Sequence, residues 1–231
     1  MKNKVVLVTG GAKRIGRAIA MALADAGAQV AIHYGTSEAE ARETGFPAFQ
    51  ANLESVQEIR ALFDRVAERF GRLDGLVNNA ARFTRFDPLL IEEADWDFIH
   101  SVNLKAVFFC CQAAAKIMLA GEGGSIVNIS SLGALKPWEQ HAHYCASKAG
   151  VVMLTKALAK AWAPHISVNT VAPGVIPFGM TDARIERFIA ATPARRAGTG
   201  EEIAEAVLHF LRSSRFTTGQ LVAVDGGLGL N

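Results

Sequence analysis

Val5-Val6-Leu7-Val8-Thr9-Gly10-Gly11-Ala12-Lys13-Arg14-Ile15-Gly16 joins a short apolar run to a glycine-rich turn and then to a helix-like pattern. A strand that turns sharply into a helix through glycine is a nucleotide-binding arrangement. Gly10 permits a tight turn and close backbone approach to a pyrophosphate. Gly16 lets helix and sheet pack closely, and the free N–H groups of the helix N-terminus face the phosphates. The spacing is not G-x-G-x-x-G, and a large cation, Arg14, stands where a small residue is expected. Taken alone, the stretch fits an ordinary turn equally well.

The pattern repeats along the chain. Apolar runs lie at residues 5–8, 29–32, 48–51, 73–77, 125–129, 167–171 and 221–224. Between most of them apolar residues recur at three- and four-residue spacing, as in Ile59, Leu62, Phe63, Val66 and Phe70. Alternation of this kind predicts βαβ units and a mainly parallel sheet covered by helices on both faces. The segment from Ser37 to Thr44 leaves room for about two helical turns, so that crossover is short. Two more loops suit a ligand at the carboxyl ends of the strands: Asn78-Asn79-Ala80-Ala81, and Ala172-Pro173-Gly174-Val175-Ile176.

The chain has 231 residues, 50% of them hydrophobic and 20% charged, which suits one globular α/β domain spanning 1–231. Net charge is +2 with no basic run, so nucleic acid is not an expected partner. No apolar segment approaches the ~18 residues of a membrane span, and the apolar run before Thr9 is too short for a signal peptide. Cys110, Cys111 and Cys145 match no zinc or redox spacing, which fits reduced thiols in the cytoplasm.

Tyr144-Cys145-Ala146-Ser147-Lys148 carries the chemistry. On a helix, residues four apart share a face, so the Tyr144 phenol lies beside the Lys148 amine. A nearby ammonium stabilises the phenolate, and a phenol so tuned can hand a proton to a carbonyl oxygen as hydride reaches the carbon. Ser131 lies thirteen residues before Tyr144, at the end of the fifth apolar run, where its hydroxyl can bond the same oxygen. Asn103 interrupts an otherwise helical stretch.

Thr9–Gly16, Asn78–Ala81, Asn103, Ser131, Tyr144–Lys148 and Pro173-Gly174 occur in the order of the short-chain dehydrogenase/reductase family, which the chain resembles over essentially its whole length. The resemblance implies a Rossmann-type, doubly wound, seven-stranded parallel sheet. It implies Tyr144 as general acid/base and Ser131 as hydrogen-bond donor to the carbonyl oxygen. Lys148 lowers the Tyr144 pKa and holds the nicotinamide ribose, and Asn103 anchors a water that relays protons to Lys148. Gly10, Lys13, Arg14, Ile15, Gly16, Asn52, Leu53, Asn79, Ala80, Ala81, Pro173, Gly174 and Ile176 are the implied cofactor contacts. A homodimer or homotetramer built on the long helices, through faces with Phe108, Phe109, Val152 and Leu158, is also implied.

The second run ends in Ile32-His33-Tyr34-Gly35-Thr36-Ser37, with no acid to hold a ribose 2′-hydroxyl; the first is Glu38, expected to start the next helix and point away. Lys13, His33, Thr36 and Ser37 suit a 2′-phosphate, so the expected cofactor is NADP(H). The expected function is reduction of a small-molecule ketone. The arginine in the turn and Phe83 resemble the pteridine reductase branch, in which a turn arginine meets phosphate and substrate and a phenylalanine stacks on the pterin. Ala81 and Ser131 do not follow that branch. Dihydropterin reduction, 3-oxoacyl thioester reduction and a non-catalytic NADP-binding sensor remain the alternatives. Arg14, Phe83, Trp138 and His143 are the expected substrate contacts, with His141 and His143 at the pocket mouth. No metal is expected, since zinc takes at least three protein ligands. Phe178 replaces the usual threonine of the Pro-Gly loop, and a substrate lid is expected over about 178–199, with Arg184, Arg187, Arg195 and Arg196.

Overall fold

The computed structural model describes residues 1–179 and 182–230. Its strands are β1 (Val5–Thr9), β2 (Gln29–Tyr34), β3 (Ala48–Gln50), β4 (Gly75–Asn78), β5 (Gly124–Ile129), β6 (Ile166–Pro173) and β7 (Leu221–Val224). They form one parallel sheet in the order β3-β2-β1-β4-β5-β6-β7. Winding leaves β1 in one direction to β2 and β3, and in the other to β4 and beyond. The crevice between β1 and β4 is therefore the topological switch point, where such sheets bind ligands.

Side-chain alternation along each strand divides the core in two. Val5 and Leu7 face α3 (Val56–Phe70), α5 (Val107–Ala120) and α6 (Ala142–Trp162). Val6 and Val8 face α1 (Arg14–Asp25), α2 (Glu38–Glu43) and α8 (Gly200–Arg212). Neighbouring residues of a strand point to opposite faces, so a sheet covered on both sides needs continuous apolar runs, and β1 supplies one. As expected, α2 is short.

Helix α4 (Glu93–His100) continues through a π turn at Ser101–Ala106 into α5. The 28-residue rod Glu93–Ala120 is long and apolar enough to cross a membrane by composition, which the run-length count in the sequence passes over. Half of its apolar window is buried, and α5 packs against the sheet and against α3. Phe108 and Phe109 are half-buried against this core, and Leu158 lies within it rather than on a free face. The expected lid covers Met180 and Thr181, which lie outside the described residues. Beyond them, α7 (Ala183–Ala191) is a helix with no buried residue, its N-terminus capped by the Asp182 carboxylate.

Candidate active site

Gly10 adopts φ +62°, a conformation that favours glycine, and a Cβ there would come within 3.0 Å of Ala80 Cα. At Gly16 a Cβ would lie 2.1 Å from the Gly10 carbonyl oxygen. The close approach at Gly16 is thus between the first turn of α1 and the glycine turn itself, not between helix and sheet as expected from the sequence. Asn79 locks the arrangement: its Nδ2 donates to the Thr9 and Gly10 carbonyls at 2.9 and 3.1 Å. The Thr9 hydroxyl in turn accepts from the Asn79 and Ala80 backbone N–H groups. Lys13 at the N-cap of α1 makes no side-chain cap bond, so the first-turn N–H groups keep their capacity for an anion. A glycine cradle, an uncapped helix N-terminus and the switch-point crevice together fit a dinucleotide.

Arg14 is exposed and sits at φ +53°. A left-handed arginine costs on the order of 1–2 kcal/mol, held here by the turn around it. Lys13 reaches Glu40 of α2 at 3.5 Å in an exposed pair, while Glu38 pairs with Arg42 and points away. Thr36 is exposed, and Ser37, at the N-cap of α2, makes no side-chain cap bond. His33 departs from expectation. Its Nδ1 accepts from the Gly10 N–H at 3.2 Å, and its Nε2 donates to the Ala51 carbonyl at 3.0 Å. Burial lowers its pKa, so the ring is neutral and both nitrogens are occupied. His33 braces the glycine turn against the end of β3 and offers no cation to a phosphate. Asn52 folds its Oδ1 back on the Glu54 N–H at 3.0 Å, next to buried Leu53. Gly174 follows β6 and bonds the Val224 carbonyl, and Ile176 packs on the α1 side of the core.

Ser131, Tyr144 and Lys148 converge beyond the carboxyl end of β5. Ser131 Oγ accepts from the Gly133 N–H at 3.1 Å, which leaves its own proton free to donate. Tyr144 departs from the expected lowering by Lys148: burial pushes its pKa up to about 12, and the counteracting hydrogen bond comes from Ser131, not from the lysine. Lys148 is buried too: desolvation lowers its pKa to about 8. Its Nζ donates to the Ile129 carbonyl at 3.0 Å and lies 5.9 Å from the Tyr144 ring centre. The loop after β4 completes the group. Asn103, in the π turn, accepts from the Arg82 N–H at 2.7 Å and donates to the Arg82 carbonyl at 2.9 Å. It also donates to Ser147 Oγ at 3.3 Å. The π turn is the irregularity that Asn103 marks in the sequence, and its side chain clamps the loop to α6.

The seven-stranded parallel sheet in this order is what the structural comparison also finds. A mutant of a Serratia marcescens short-chain dehydrogenase/reductase superposes with a TM-score of 0.94 at 31% identity, over 99% of this chain and 98% of that one. The chain belongs to the short-chain dehydrogenase/reductase family. The family profile that matches residues 10–229 is described as enoyl-(acyl carrier protein) reductase. A Staphylococcus aureus 3-oxoacyl-[acyl-carrier-protein] reductase FabG is 40% identical over 98% of both chains. An Escherichia coli 2-dehydro-3-deoxy-D-gluconate 5-dehydrogenase is 36% identical, over 98% of this chain and 96% of its own. The protein is therefore an oxidoreductase of a family that works with nicotinamide cofactors.

Aromatic rings surround Tyr144. Trp138 lies parallel to Tyr144 with centroids 6.0 Å apart, and Phe83 meets Tyr144 edge-on at 4.8 Å. Phe83 is 58% exposed. His143, expected at the pocket mouth, is instead fully buried against Thr84 and Phe86. Next to Tyr144 on a helix, it points about 100° away. His141 is the histidine that joins these rings, stacked on Phe83 at 4.7 Å.

Not anticipated from the sequence is a buried polar chain across the sheet. Asn78 donates to Asn128, Asn128 to Thr155, and Thr170 to Thr155, at 2.8–2.9 Å. Asn78, Asn128 and Thr170 stand in register on β4, β5 and β6. Polar residues recurring at the same place in three apolar runs were the available signal.

Proposed function

We propose that the protein reduces the ketone of a small molecule with NADPH, Tyr144 donating the proton. The observation that carries this is the convergence of Ser131, Tyr144 and Lys148 beyond β5. Burial raises the Tyr144 pKa, which keeps the phenol protonated at neutral pH, as a proton donor must be. The carbonyl oxygen accepts hydrogen bonds from the Ser131 and Tyr144 hydroxyls. NADPH, held by the glycine turn and the N-terminus of α1, would supply a hydride for the carbonyl carbon. Tyr144 passes its proton to the oxygen, and the Lys148 ammonium stabilises the phenolate left behind and holds the ribose hydroxyls. Asn103, held in the π turn, serves the proton return to Lys148 through water. The product is the alcohol.

The NADPH preference rests on the end of β2, which carries no acid, and on Lys13, Thr36 and Ser37 around it. Lys13 is tied to Glu40 only by an exposed contact of 3.5 Å, weak enough to exchange for a phosphate. Michaelis constants decide the matter: the value for NADPH is expected below that for NADH, and the reverse order ends the NADPH assignment. In the same assay Tyr144→Phe lowers kcat by about 10²–10⁴. Undiminished turnover would instead leave Tyr144 without its role.

Reduction of a 3-oxoacyl thioester is the second reading, favoured by the 40% identity to a 3-oxoacyl-[acyl-carrier-protein] reductase. Arg14 and Phe83 support a dihydropterin, but protonating a ring nitrogen calls for an acid, and Ser131 is suited to a carbonyl. A panel of ketones, acetoacetyl thioester and dihydropterin separates the three. The intact Ser131, Tyr144 and Lys148 group speaks against a non-catalytic sensor. The segment around α7 serves as the substrate lid in this reading, and a homo-oligomer and a reducing, cytoplasmic setting complete it. The unpaired thiols of Cys110, Cys111 and Cys145 support the last point.

A further inference from the structure

The loop after β4 is stapled to the start of α6. Phe86 N–H donates to the Gln140 carbonyl at 3.0 Å, and Arg85 Nε donates to Gln140 Oε1. His143 Nε2 meets Thr84 Oγ1 at 2.7 Å, and His141 Nδ1 lies 2.9 Å from the Thr84 carbonyl oxygen. A carbonyl only accepts, so His141 Nδ1 carries the proton, and the neutral ring has its lone pair on Nε2. Burial lowers the pKa of His141, and the nearby Arg184 and Arg85 cations act in the same direction. Among the described residues Nε2 has no hydrogen-bond partner.

The ring that carries this lone pair packs beside the candidate site. His141 stacks on Phe83 with rings 23° from parallel, and meets Trp138 edge-on at 5.7 Å. The same two rings border Tyr144. His141 and the proton donor are three residues apart, on either side of the first turn of α6, and share two aromatic neighbours. The mostly exposed Phe83 lies between them.

We propose that His141 is a specificity residue of this site: its Nε2 accepts a hydrogen bond from a hydroxyl or N–H group that the substrate carries close to its ketone. The preferred substrates are hydroxy ketones and their N–H counterparts. The proposal rests on the ketone-reductase reading and adds a second recognition point to it. A substrate without the donor covers this acceptor without pairing it, which disfavours binding by the net value of a hydrogen bond.

Matched ketones that exchange a hydroxyl for a methyl test it: hydroxyacetone against butanone, and diacetone alcohol against methyl neopentyl ketone. The wild-type protein is expected to prefer the hydroxyl member of at least one pair by about tenfold in kcat/KM. His141→Phe keeps the stack on Phe83, deletes the lone pair and brings that ratio close to unity. His141→Gln restores part of it, because the amide N–H meets the Thr84 carbonyl and the amide oxygen stands in for Nε2. Should His141→Phe fail to fold, the wild-type ratios and His141→Gln still decide. Equal rates on both members of both pairs, or a preference that survives His141→Phe, overturn the role of His141 alone. Reduction of none of the four ketones overturns the ketone-reductase reading, and this proposal with it.

Discussion

Lys148 holds an ammonium group in a buried site. Desolvation depresses its pKa from 10.5 to about 8, so the unfolded chain binds this proton more tightly than the folded one. The destabilisation is therefore complete below about pH 8 and fades as pH rises from there towards 10.5. The shift corresponds to about 3 kcal/mol at neutral pH, offset in a variant by the loss of the Ile129 contact. Lys148→Met is expected to raise the denaturant midpoint at neutral pH while lowering kcat at least about 100-fold, and its stability advantage should shrink near pH 10. In the wild-type protein kcat/KM for reduction falls as pH passes about 8, where Lys148 loses its charge, well before Tyr144 ionises near 12. Equilibrium unfolding and a pH–rate profile check the two halves. The proposed catalytic trio was legible in part because Tyr144 and Lys148 keep helical spacing. The role of His33 was not, since its two partners, Gly10 and Ala51, are far from it in sequence.

Elements carry the next level. The first turn of α1 can approach the Gly10 carbonyl only because position 16 has no Cβ. Gly16→Ala places a methyl group 2.1 Å from that oxygen, so the turn or the helix must move. A loss of about 1–3 kcal/mol in stability is expected, together with a higher Michaelis constant for the cofactor. An unchanged midpoint and constant would show that the turn has slack. The π turn at Ser101–Ala106 belongs to the same level. Asn103 flags it in the sequence, but the register of a helix is set by contacts, here the Arg82 clamp. His143 shows the reverse case: it sits beside Tyr144 in sequence, and helical rotation turns it into the core.

Across the whole molecule, β7 is an edge strand. Val222 and Ala223 are exposed on it, and Leu230 and Phe216 are exposed nearby. An uncovered apolar edge invites association, which supports a closed homo-oligomer. Sedimentation is expected to give at least twice the chain mass, and Val222→Lys to shift it towards the monomer with unchanged circular dichroism. A wild-type monomer at micromolar concentration would remove this assignment.

The sequence by itself determined the sheet, because burial on both faces demands apolar runs at regular intervals and glycine at the turn. It also placed Tyr144 and Lys148 on one helix face by their four-residue spacing, while the grouping with Ser131 rests on the family resemblance. Only the tertiary structure decided which polar groups remain available. His33 is consumed by the turn, Lys13 is met by Glu40, His143 is buried, and His141 keeps one open nitrogen. Whether a side chain is occupied depends on partners brought close by packing, and no local pattern encodes them. For that reason the opening Thr9–Gly16 stretch announced a nucleotide, while the fate of its neighbours was settled across the sheet.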